Sequence, residues 1–430
     1  MAKVLIVGAG AAGLMAAGAA VRQGHQVTVL EHTDKPGQKI LVTGKGRCNV
    51  TNDCTAEEFL HHVRTNPRFL FSSLGAFPPA RTMELFESLG VELKVERGRR
   101  VFPVSDKAEE IRQALLRYAQ DAELVHDGAK KLLLEEVTPE PEAAPAAPEN
   151  PRHPKKKKAG PALRCIGVRG TSGREYRADA VLVATGGVSY PTTGSTGDGY
   201  TFARQCGHTI VPIRPALVPL VCDNNFIPEL QGLSLRNVEI LVTLGNKEVY
   251  TDFGEMLFTH YGVSGPVVLS ASSHLTQPER GVYNLHIDLK PALAFDVLDR
   301  RVQRDFSALQ NKDLINALGG LLPRKLIPVF VRRSGLEPGK KVNQISREER
   351  HALVRLMKDF AVHITDFRPV EEAIVTAGGV DVRQVSPKTM GSKLVENLYF
   401  AGEVLDVDGY TGGFNLQIAF STGTLCGQNL

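Results

Sequence analysis

Hydrophobic residues at the start of the chain form two short runs separated by a glycine-rich break and an alanine-rich segment. The segment KVLIV at 3–7 is almost continuously hydrophobic, which is typical of a strand buried on both faces. The segment at 11–23 has helical character, and 26–30 is hydrophobic again. This pattern predicts a strand, a helix and a second strand that ends at Glu31, which together form one βαβ unit.

The break after the first strand carries the spacing G-x-G-x-x-G, formed by Gly8, Gly10 and Gly13. Gly8 allows a tight turn, Gly10 lets the backbone approach a pyrophosphate, and Gly13 lets the helix lie close to the strand. Ala12 lies in the first helical turn, whose free N–H groups bind phosphate oxygens. Glu31 stands where a carboxylate accepts the hydroxyls of an adenosine ribose, which favours FAD or NAD over NADP. The alternative is a βαβ unit with a purely structural role.

Two further hydrophobic strands end in glycine-containing turns. The segment ADAVLVATGG at 178–187 ends in Thr185 and Gly186, and the segment at 397–423 repeats this design near the C-terminus. Each cluster by itself is equally consistent with an ordinary turn. Placed at the start, middle and end of the chain, the three clusters together favour a protein that surrounds a large cofactor.

The C-terminal cluster offers both a carboxylate and a helix start. Glu403 follows a short strand and can bond a ribityl hydroxyl, and a glycine pair then opens a helix that runs to about Cys426. The N-terminus of that helix would stabilise negative charge at N1 and the C2 carbonyl of a reduced flavin. The cofactor contacts predicted here are Gly402, Glu403, Gly412, Gly413, Asn415 and Leu416.

This distribution resembles the two-dinucleotide-binding-domain flavoproteins, in which both ends of the chain build the FAD domain around an inserted substrate domain. Several strings resemble one family more closely: GKGRCNVTN at 44–52, YPTTGSTGDGY at 190–200, LFTHYGVSGPVVL at 257–269, and TAGGV, KTMGSK and AGEVLDVDGYTGGFNLQIA within 376–419. The chain resembles the BaiN-type NAD(P)/FAD-dependent oxidoreductases, and also bacterial aminoacetone oxidase. The resemblance implies non-covalent FAD, an inserted β-rich domain and a small helical subdomain, and it leaves the substrate open.

The predicted fold is therefore α/β: a Rossmann-like FAD-binding domain with an inserted β-rich, barrel-like domain and a small helical subdomain. Short strands and frequent turns between 194 and 288 indicate the β-rich part, and helical spacing from 295 to 360 indicates the helical part. The predicted parts are 1–192 for the FAD-binding domain, 193–293 for the β-rich substrate domain, 294–360 for the helical subdomain, and 361–430 for the return to the β region and the FAD-binding domain.

One segment departs from this pattern. Residues 138–161 are rich in proline, alanine and charge and lie between two hydrophobic strands, which predicts the disordered tip of a long hairpin. Its four consecutive lysines could dock an acidic partner, although a solvated run of charge is the simpler interpretation.

Composition narrows the class of protein further. With 42% hydrophobic and 23% charged residues the chain is ordinary for a globular protein, and a net charge of +4 is too small to indicate a nucleic-acid or membrane partner. Six scattered cysteines without a C-x-x-C pair argue against a zinc ribbon, an iron–sulfur site and a dithiol centre, so no metal site is predicted. We expect a cytoplasmic protein without a transmembrane segment.

The loop after the first βαβ unit approaches the isoalloxazine ring in the flavoproteins that the chain resembles. The resemblance assigns Arg47 and Asn49 to flavin or substrate contact, and a hydrogen-bond network that only fixes the loop is the equal alternative. Cys48 beside a flavin could be redox active, but only Cys54 is near it in sequence, and the inert interpretation is favoured. The cofactor contacts predicted in this region are Lys39, Gly46, Arg47, Cys48 and Asn49.

His260 and Tyr261 are the predicted proton donors, with Arg47 as a third candidate catalytic residue. A histidine titrates near neutral pH, and a phenol can protonate carbon during the reduction of an enone. The alternative role for His260 is to brace a domain junction.

Three functions remain open at this stage. The first is reduction of a conjugated C=C bond in an enone or steroid-like small molecule, with NADH or NADPH reducing FAD; since no second G-x-G-x-x-G domain is present, an external electron donor is also possible. The second is an amine oxidase that produces hydrogen peroxide. The third is an RNA-modifying flavoprotein or binding scaffold, which the nearly balanced charge disfavours. We therefore expect a small-molecule substrate and no nucleic-acid or membrane partner.

Overall fold

The fold was analysed in a computed structural model, which describes residues 1–137, 163–276 and 280–430. The segment predicted to be a disordered hairpin tip, 138–161, lies outside the described residues. Among the described residues, no helix combines the length and the hydrophobicity that crossing a bilayer requires.

The chain divides into two compact units: Met1–Arg214 with Val375–Leu430, and Pro215–Ile374. Both ends of the chain thus build the first unit, and the second is inserted between them. The chain leaves the first unit later than the predicted boundary at 192/193, because Tyr200 and Phe202 are buried in the hydrophobic core of the first unit. From Val362 the chain forms a strand of the barrel, in the place where it was predicted to rejoin the β region, and it re-enters the first unit at Val375.

Twenty strands are present in the described residues. In chain order they are β1 Lys3–Val7, β2 Gln26–Glu31, β3 Thr51–Asn52, β4 Leu93–Glu96, β5 Arg100–Pro103, β6 Glu123–His126, β7 Ala129–Glu136, β8 Leu163–Gly170, β9 Glu175–Arg177, β10 Ala180–Val183, β11 Ile210–Ala216, β12 Leu220–Cys222, β13 Ser234–Leu244, β14 Lys247–Phe258, β15 Gly262–Ser264, β16 Tyr283–Asp288, β17 Val362–Phe367, β18 Val375–Val380, β19 Val395–Glu396 and β20 Leu398–Phe400.

The same residues contain thirteen α-helices. They are α1 Ala11–Arg22, α2 Gln38–Val42, α3 Ala56–Leu60, α4 Phe71–Ala76, α5 Pro79–Ser88, α6 Ala108–Tyr118, α7 Asp198–Gln205, α8 Pro266–Ser272, α9 Phe295–Ala308, α10 Leu314–Ala317, α11 Ile327–Ser334, α12 Arg347–Lys358 and α13 Phe414–Gly427.

The core of the first unit is a five-stranded parallel sheet in the order β20-β10-β1-β2-β6. Its central strand β1 pairs with β2 on one side and β10 on the other, so that Val4 lies beside Val27 and Ala180. Four of the five residues of β1 are buried, as its continuous hydrophobic run predicts. On its other side β10 pairs with β20, an edge strand of the sheet that comes from the C-terminal part of the chain.

Helices α1 and α13 pack closely because both carry small residues. A Cβ atom added to Gly423 would lie 2.4 Å from the carbonyl oxygen of Ala12, and one added to Gly427 would lie 2.3 Å from that of Ala16. Distances this short leave no room for any side chain. The two helices that begin at the predicted glycine turns are therefore held together by backbone contact.

The second unit contains a closed six-stranded barrel in the order β12-β15-β14-β13-β16-β17. Side chains of β16 alternate between buried and partly exposed, as expected for a strand with one face in a barrel core. Helices α9 to α12 occupy the region predicted to be helical, and Ser346 caps α12 through a reciprocal bond with Glu349. The predicted fold class is confirmed.

Candidate cofactor and active site

The turn between β1 and α1 has the geometry that its three glycines predict. Gly8 has a φ of +101°, and a Cβ atom there would lie 2.7 Å from the carbonyl oxygen of Ala184, where β10 ends. A Cβ atom on Gly13 would lie 1.9 Å from the Gly8 carbonyl oxygen, so helix and turn are in backbone contact. Gly10 differs, because no heavy atom of the described residues lies within 4 Å of its added Cβ. The N-cap of α1 is therefore open where a pyrophosphate is expected.

Glu31 is fixed beside this turn by three hydrogen bonds. One carboxylate oxygen accepts from the N–H of Ala9 at 2.8 Å, and the other accepts from the N–H and the hydroxyl of Thr33, both at 2.8 Å. The side chain is largely buried at the end of β2. Because a carboxylate oxygen accepts more than one bond, capacity for ribose hydroxyls remains.

Residues from distant parts of the chain meet at Glu403. Its carboxylate binds Lys39 Nζ at 2.6 Å and accepts from the N–H of Thr376 at 2.8 Å and from the hydroxyl of Ser189 at 3.1 Å. Lys39 also donates to the Ser189 hydroxyl at 2.7 Å. Lys39 and Glu403 were both predicted as cofactor contacts, but their pairing with each other was not. Thr376 lies in a string that carries the family resemblance and Ser189 lies beside one, yet the sequence analysis singled out neither residue.

The turn after β10 contributes an unsatisfied hydroxyl. The Oγ1 atom of Thr185 is buried and has no hydrogen-bond partner within the described residues. The neighbouring Gly186 lies close to Ser195, whose Oγ would be 3.0 Å from an added Cβ. A buried hydroxyl without a partner is uncommon in native proteins and is consistent with a bound group that supplies the missing bond.

Asn49 holds the start of α13 in place. With its amide oriented to satisfy its neighbours, Asn49 donates to the carbonyl oxygens of Val101 at 3.2 Å and Thr51 at 3.0 Å and accepts from the N–H of Gly413 at 3.0 Å. Gly413, at φ +95°, could carry no side chain, because a Cβ atom would lie 2.4 Å from the Thr51 carbonyl oxygen. The contacts match the alternative in which Asn49 fixes the loop.

Asn415 closes the turn that precedes α13. Its side chain accepts from the N–H of Gly409 at 2.9 Å and donates to the carbonyl oxygen of the same residue at 2.8 Å. Gly412 is joined to the β3 strand through a 3.1 Å bond from Asn52 to its carbonyl oxygen. Leu416 is partly buried against the core of the first unit. Hydrogen bonds within the protein therefore fix the turn before α13 without the help of a ligand.

The guanidinium of Arg47 is engaged by two acids. It forms ion pairs with Glu96 and with Asp106, the latter at 2.8 Å, and it lies 4.3 Å from the centroid of the Phe102 ring. Hydrogen bonding to Arg47 lowers the pKa of Glu96 below its usual range. Gly46, directly before it, ends a short 3₁₀ turn. The side chain thus stabilises the loop against the β4–β5 hairpin.

The environment of Cys48 is that of an inert thiol. The residue is completely buried, and burial raises the pKa of its thiol to about 12. Burial also raises the pKa of Cys54, to about 11. Because the thiolate is the reactive species, both environments support the inert interpretation of Cys48.

His260 and Tyr261 lie in the loop between β14 and β15 of the barrel. Their rings contact each other edge to face, with centroids 4.8 Å apart, and the guanidinium carbon of Arg368 lies 4.5 Å from the centroid of the Tyr261 ring. Arg368 is in turn paired with Glu372. The two predicted proton donors are thus adjacent, and they belong to the second unit, whereas the predicted cofactor contacts belong to the first.

Sequence reasoning missed a set of buried charged residues in the first unit. Asp406 and Asp408 are almost completely buried, and burial raises the pKa of both carboxyl groups. The positive charge of Arg214 acts against burial and lowers the pKa of both carboxyl groups. The acids lie within a string that carries the family resemblance, but Arg214 lies outside every string and left no signal.

The residues present fit a dinucleotide cofactor. The helix N-cap at Gly10 is open, Glu31 keeps acceptor capacity, and the Thr185 hydroxyl lacks a partner in the described structure. The residues predicted to contact FAD in the first unit come from both ends of the chain and from its middle. The parallel sheet and the βαβ unit give the first unit a Rossmann nucleotide-binding fold, and the protein belongs to the class of flavoprotein oxidoreductases.

Two family models match the chain: the HI0933-like protein Rossmann domain over residues 2–135, and the HI0933-like protein barrel and H2TH domain over residues 214–375. The chain belongs to the HI0933-like family. The resemblance to BaiN-type oxidoreductases is confirmed by these matches and by a full-length relative.

Three curated relatives align over almost the whole chain. A 3-dehydro-bile acid delta(4,6)-reductase of Clostridium scindens is 31% identical and covers 100% of this chain and 98% of its own. Ribosomal RNA dihydrouridine synthases of Escherichia coli and Haemophilus influenzae are 30% and 32% identical; each covers 99% of this chain, with 97% and 98% of their own lengths aligned.

Proposed function

We propose that this protein is an FAD-dependent reductase of a C=C bond conjugated to a carbonyl group. The observation that carries the proposal is the full-length similarity to relatives whose names describe this one type of reaction on different molecules. A delta(4,6)-reductase of a 3-oxo steroid saturates bonds conjugated to the oxo group. Dihydrouridine is uridine whose C=C bond, conjugated to a ring carbonyl, has been saturated.

The residues of the first unit would hold the cofactor. The open N-cap at Gly10 would receive the pyrophosphate, and Glu31 would accept the adenosine ribose hydroxyls. Lys39 and Glu403, already paired, would lie along the ribityl chain, and the start of α13 at Gly413 would stabilise negative charge on the ring. When bound, FAD supplies the hydride that is added to the substrate.

The proton would come from a side chain of the loop between β14 and β15. We assign this role to Tyr261 with His260 beside it, because the two rings are in contact and the Arg368 guanidinium lies over the Tyr261 ring and holds it in place. Arg47 is assigned to the loop rather than to the reaction, because its guanidinium is already held by two acids. Replacing His260 by alanine should slow the substrate half-reaction and leave the flavin bound.

The experiment that tests this function separates the two half-reactions. Anaerobic stopped-flow mixing with NADH and with NADPH, followed by flavin absorbance at about 450 nm, shows whether a nicotinamide donates directly. The reduced protein is then mixed with a conjugated ketone. Separately, the oxidised protein is mixed with an amine, first without oxygen and then with it. Reoxidation by the ketone supports the reductase. Amine-dependent reduction with peroxide formation would instead establish the oxidase and overturn the proposal.

Uridine in RNA is a second candidate substrate, favoured by two observations. Two of the curated relatives are named as ribosomal RNA dihydrouridine synthases. The helical part, 294–360, contains 14 Lys and Arg against 8 Asp and Glu, so it carries a net charge of +6, more than the +4 of the whole chain. Binding to an rRNA fragment that weakens steeply with salt, followed by a mass gain of two hydrogens at one uridine, would establish it. Salt-independent or absent binding would exclude it.

A further inference from the structure

Arg214 stands on a strand that is directly connected to the predicted flavin contacts. It lies in β11, which pairs with β18 of the C-terminal return. The two strands approach closely, because a Cβ atom on Gly378 would lie 2.3 Å from the carbonyl oxygen of Pro212. Strand β18 also carries Thr376, whose N–H donates to Glu403 at 2.8 Å. The backbone around Arg214 is therefore fixed relative to Glu403.

One nitrogen atom of the Arg214 guanidinium nevertheless has no hydrogen-bond partner among the described residues. This atom, Nη1, is shielded from solvent and makes no hydrogen bond within the described residues, and no ion pair of Arg214 occurs there either. Its charge acts on Asp406 and Asp408, but neither carboxylate bonds it. A shielded donor without an acceptor is unfavourable, so native proteins rarely keep one without a function. A guanidinium is also the side chain best suited to bind oxygen atoms that carry negative charge.

We propose that Arg214 is a catalytic residue that donates hydrogen bonds to an oxygen that gains negative charge during the reduction. The inference rests on the proposed function. As hydride adds to the β-carbon of the conjugated system, the electrons of the C=C bond move toward the carbonyl and its oxygen becomes an enolate oxygen. A proton from a protein acid then adds to the α-carbon and restores the carbonyl. A fixed donor facing that oxygen lowers the barrier most when charge is greatest.

Two oxygen atoms could accept the hydrogen bonds of Arg214. One is the carbonyl oxygen of the substrate, and the other is the C2 oxygen of the flavin, which also gains negative charge on reduction. The two acceptors predict different measurements. A donor to the substrate oxygen changes the rate of substrate reduction and leaves the flavin midpoint potential unaltered. A donor to the flavin oxygen makes the potential more positive and strengthens the sulfite adduct of the oxidised flavin.

The test compares Arg214→Gln and Arg214→Lys with wild type, and uses Arg81→Gln as a control that removes one exposed arginine of the first unit. We measure FAD content, midpoint potential, sulfite affinity and the rate at which pre-reduced protein reduces a conjugated ketone. In Arg214→Gln we expect either a rate on the order of 100-fold lower at unchanged potential, or a more negative potential with weaker sulfite binding. Either result supports the proposal and identifies the oxygen.

Wild-type values for both the potential and the rate in Arg214→Gln would overturn the proposal. If that variant does not fold, Arg214→Lys decides. A lysine keeps the charge and loses the fork of donors, so a residue that merely balances Asp406 and Asp408 would retain both the wild-type potential and the wild-type rate of ketone reduction in Arg214→Lys. That result also overturns the proposal. If wild type reduces no conjugated ketone and no uridine, the proposed function fails, while the potential and sulfite arms still test Arg214 against the flavin.

Discussion

Two glycine-rich loops of the first unit differ in what fixes them. In the β1–α1 turn, the close contacts are between backbone atoms, such as the Gly13 position against the Gly8 carbonyl oxygen. In the loop at 43–49, the shape depends on side chains: Arg47 pairs with Glu96 and Asp106, and Asn49 bonds the N-terminus of α13. A site built from the backbone allows almost no substitution, whereas a site built from side chains tolerates changes that preserve its bonds.

The largest effect is expected for Gly13→Val. A Cβ atom at this position lies 1.9 Å from the Gly8 carbonyl oxygen, so helix α1 must move away from the turn and the sheet. We expect a loss of about 3 kcal/mol or more in the free energy of unfolding, measured by chemical denaturation. Gly75→Val, at an exposed helical position of α4 where an added Cβ atom meets no neighbour within 4 Å in the described structure, controls for the added side chain. Wild-type stability in Gly13→Val would contradict the close contact.

Gly10→Val should separate cofactor binding from folding. No described atom lies within 4 Å of a Cβ atom at Gly10, so the fold should keep wild-type thermal stability in the absence of FAD. A side chain in the open N-cap would block the pyrophosphate, and we expect FAD affinity to fall on the order of 100-fold, or ~2.7 kcal/mol. Fluorescence titration with FAD measures the loss. A variant that purifies yellow with a full complement of FAD would show that the pyrophosphate does not bind here.

Glu403→Gln tests the ion pair between Lys39 and Glu403, which joins distant parts of the chain. We expect an effect smaller than those of the two glycine variants. Glutamine keeps the volume but gives up the charge that binds Lys39 Nζ at 2.6 Å. Since the pair is partly exposed, we expect a stability loss of about 1 kcal/mol together with a tenfold weaker affinity for FAD. Glu396→Gln, which removes a paired carboxylate at Arg164, is the matched control and should leave FAD affinity unchanged. Equal FAD affinity in both variants would restrict Glu403 to a structural role.

Arg47→Gln should have a smaller effect, because its ion pairs are partly exposed to solvent. We expect about 0.5–1 kcal/mol lower stability and a turnover rate within a factor of about three of wild type. Steady-state kinetics with a conjugated ketone measures the rate. A drop on the order of 100-fold with normal FAD content would instead return Arg47 to the reaction.

The smallest effect is expected at Cys48. A thiol with a pKa raised to about 12 by burial stays protonated at neutral pH, and its rate of alkylation should increase only as the pH approaches that value. We expect no labelling of Cys48 by iodoacetamide in the folded protein, and labelling after denaturation, as measured by peptide mass spectrometry. Labelling of folded protein at neutral pH, suppressed by bound FAD, would revive a redox role.

Several elements could be predicted from the sequence because their causes are local. The run at 3–7, the glycine spacing and Glu31 are contiguous, and each implies its geometry through backbone sterics and strand burial. Helical spacing, with proline or glycine between the segments, predicted helices at 295–309 and 347–360, and the structure has them at 295–308 and 347–358. The unit boundary at Arg214 was missed, because burial of Tyr200 depends on packing against remote strands.

The sequence by itself determined the Rossmann βαβ unit, the inserted barrel with its helices, and membership of a flavoprotein family. Only the tertiary structure decided which side chains meet: Lys39 with Glu403 across 364 positions, Arg47 with Asp106 across 59, and Arg214 Nη1 with no hydrogen-bond partner in the described residues. The physical reason is the distance along the chain over which each feature is determined. Backbone conformation follows from neighbouring residues, whereas an ion pair needs two atoms within about 4 Å, and the folding of all the intervening chain sets that distance.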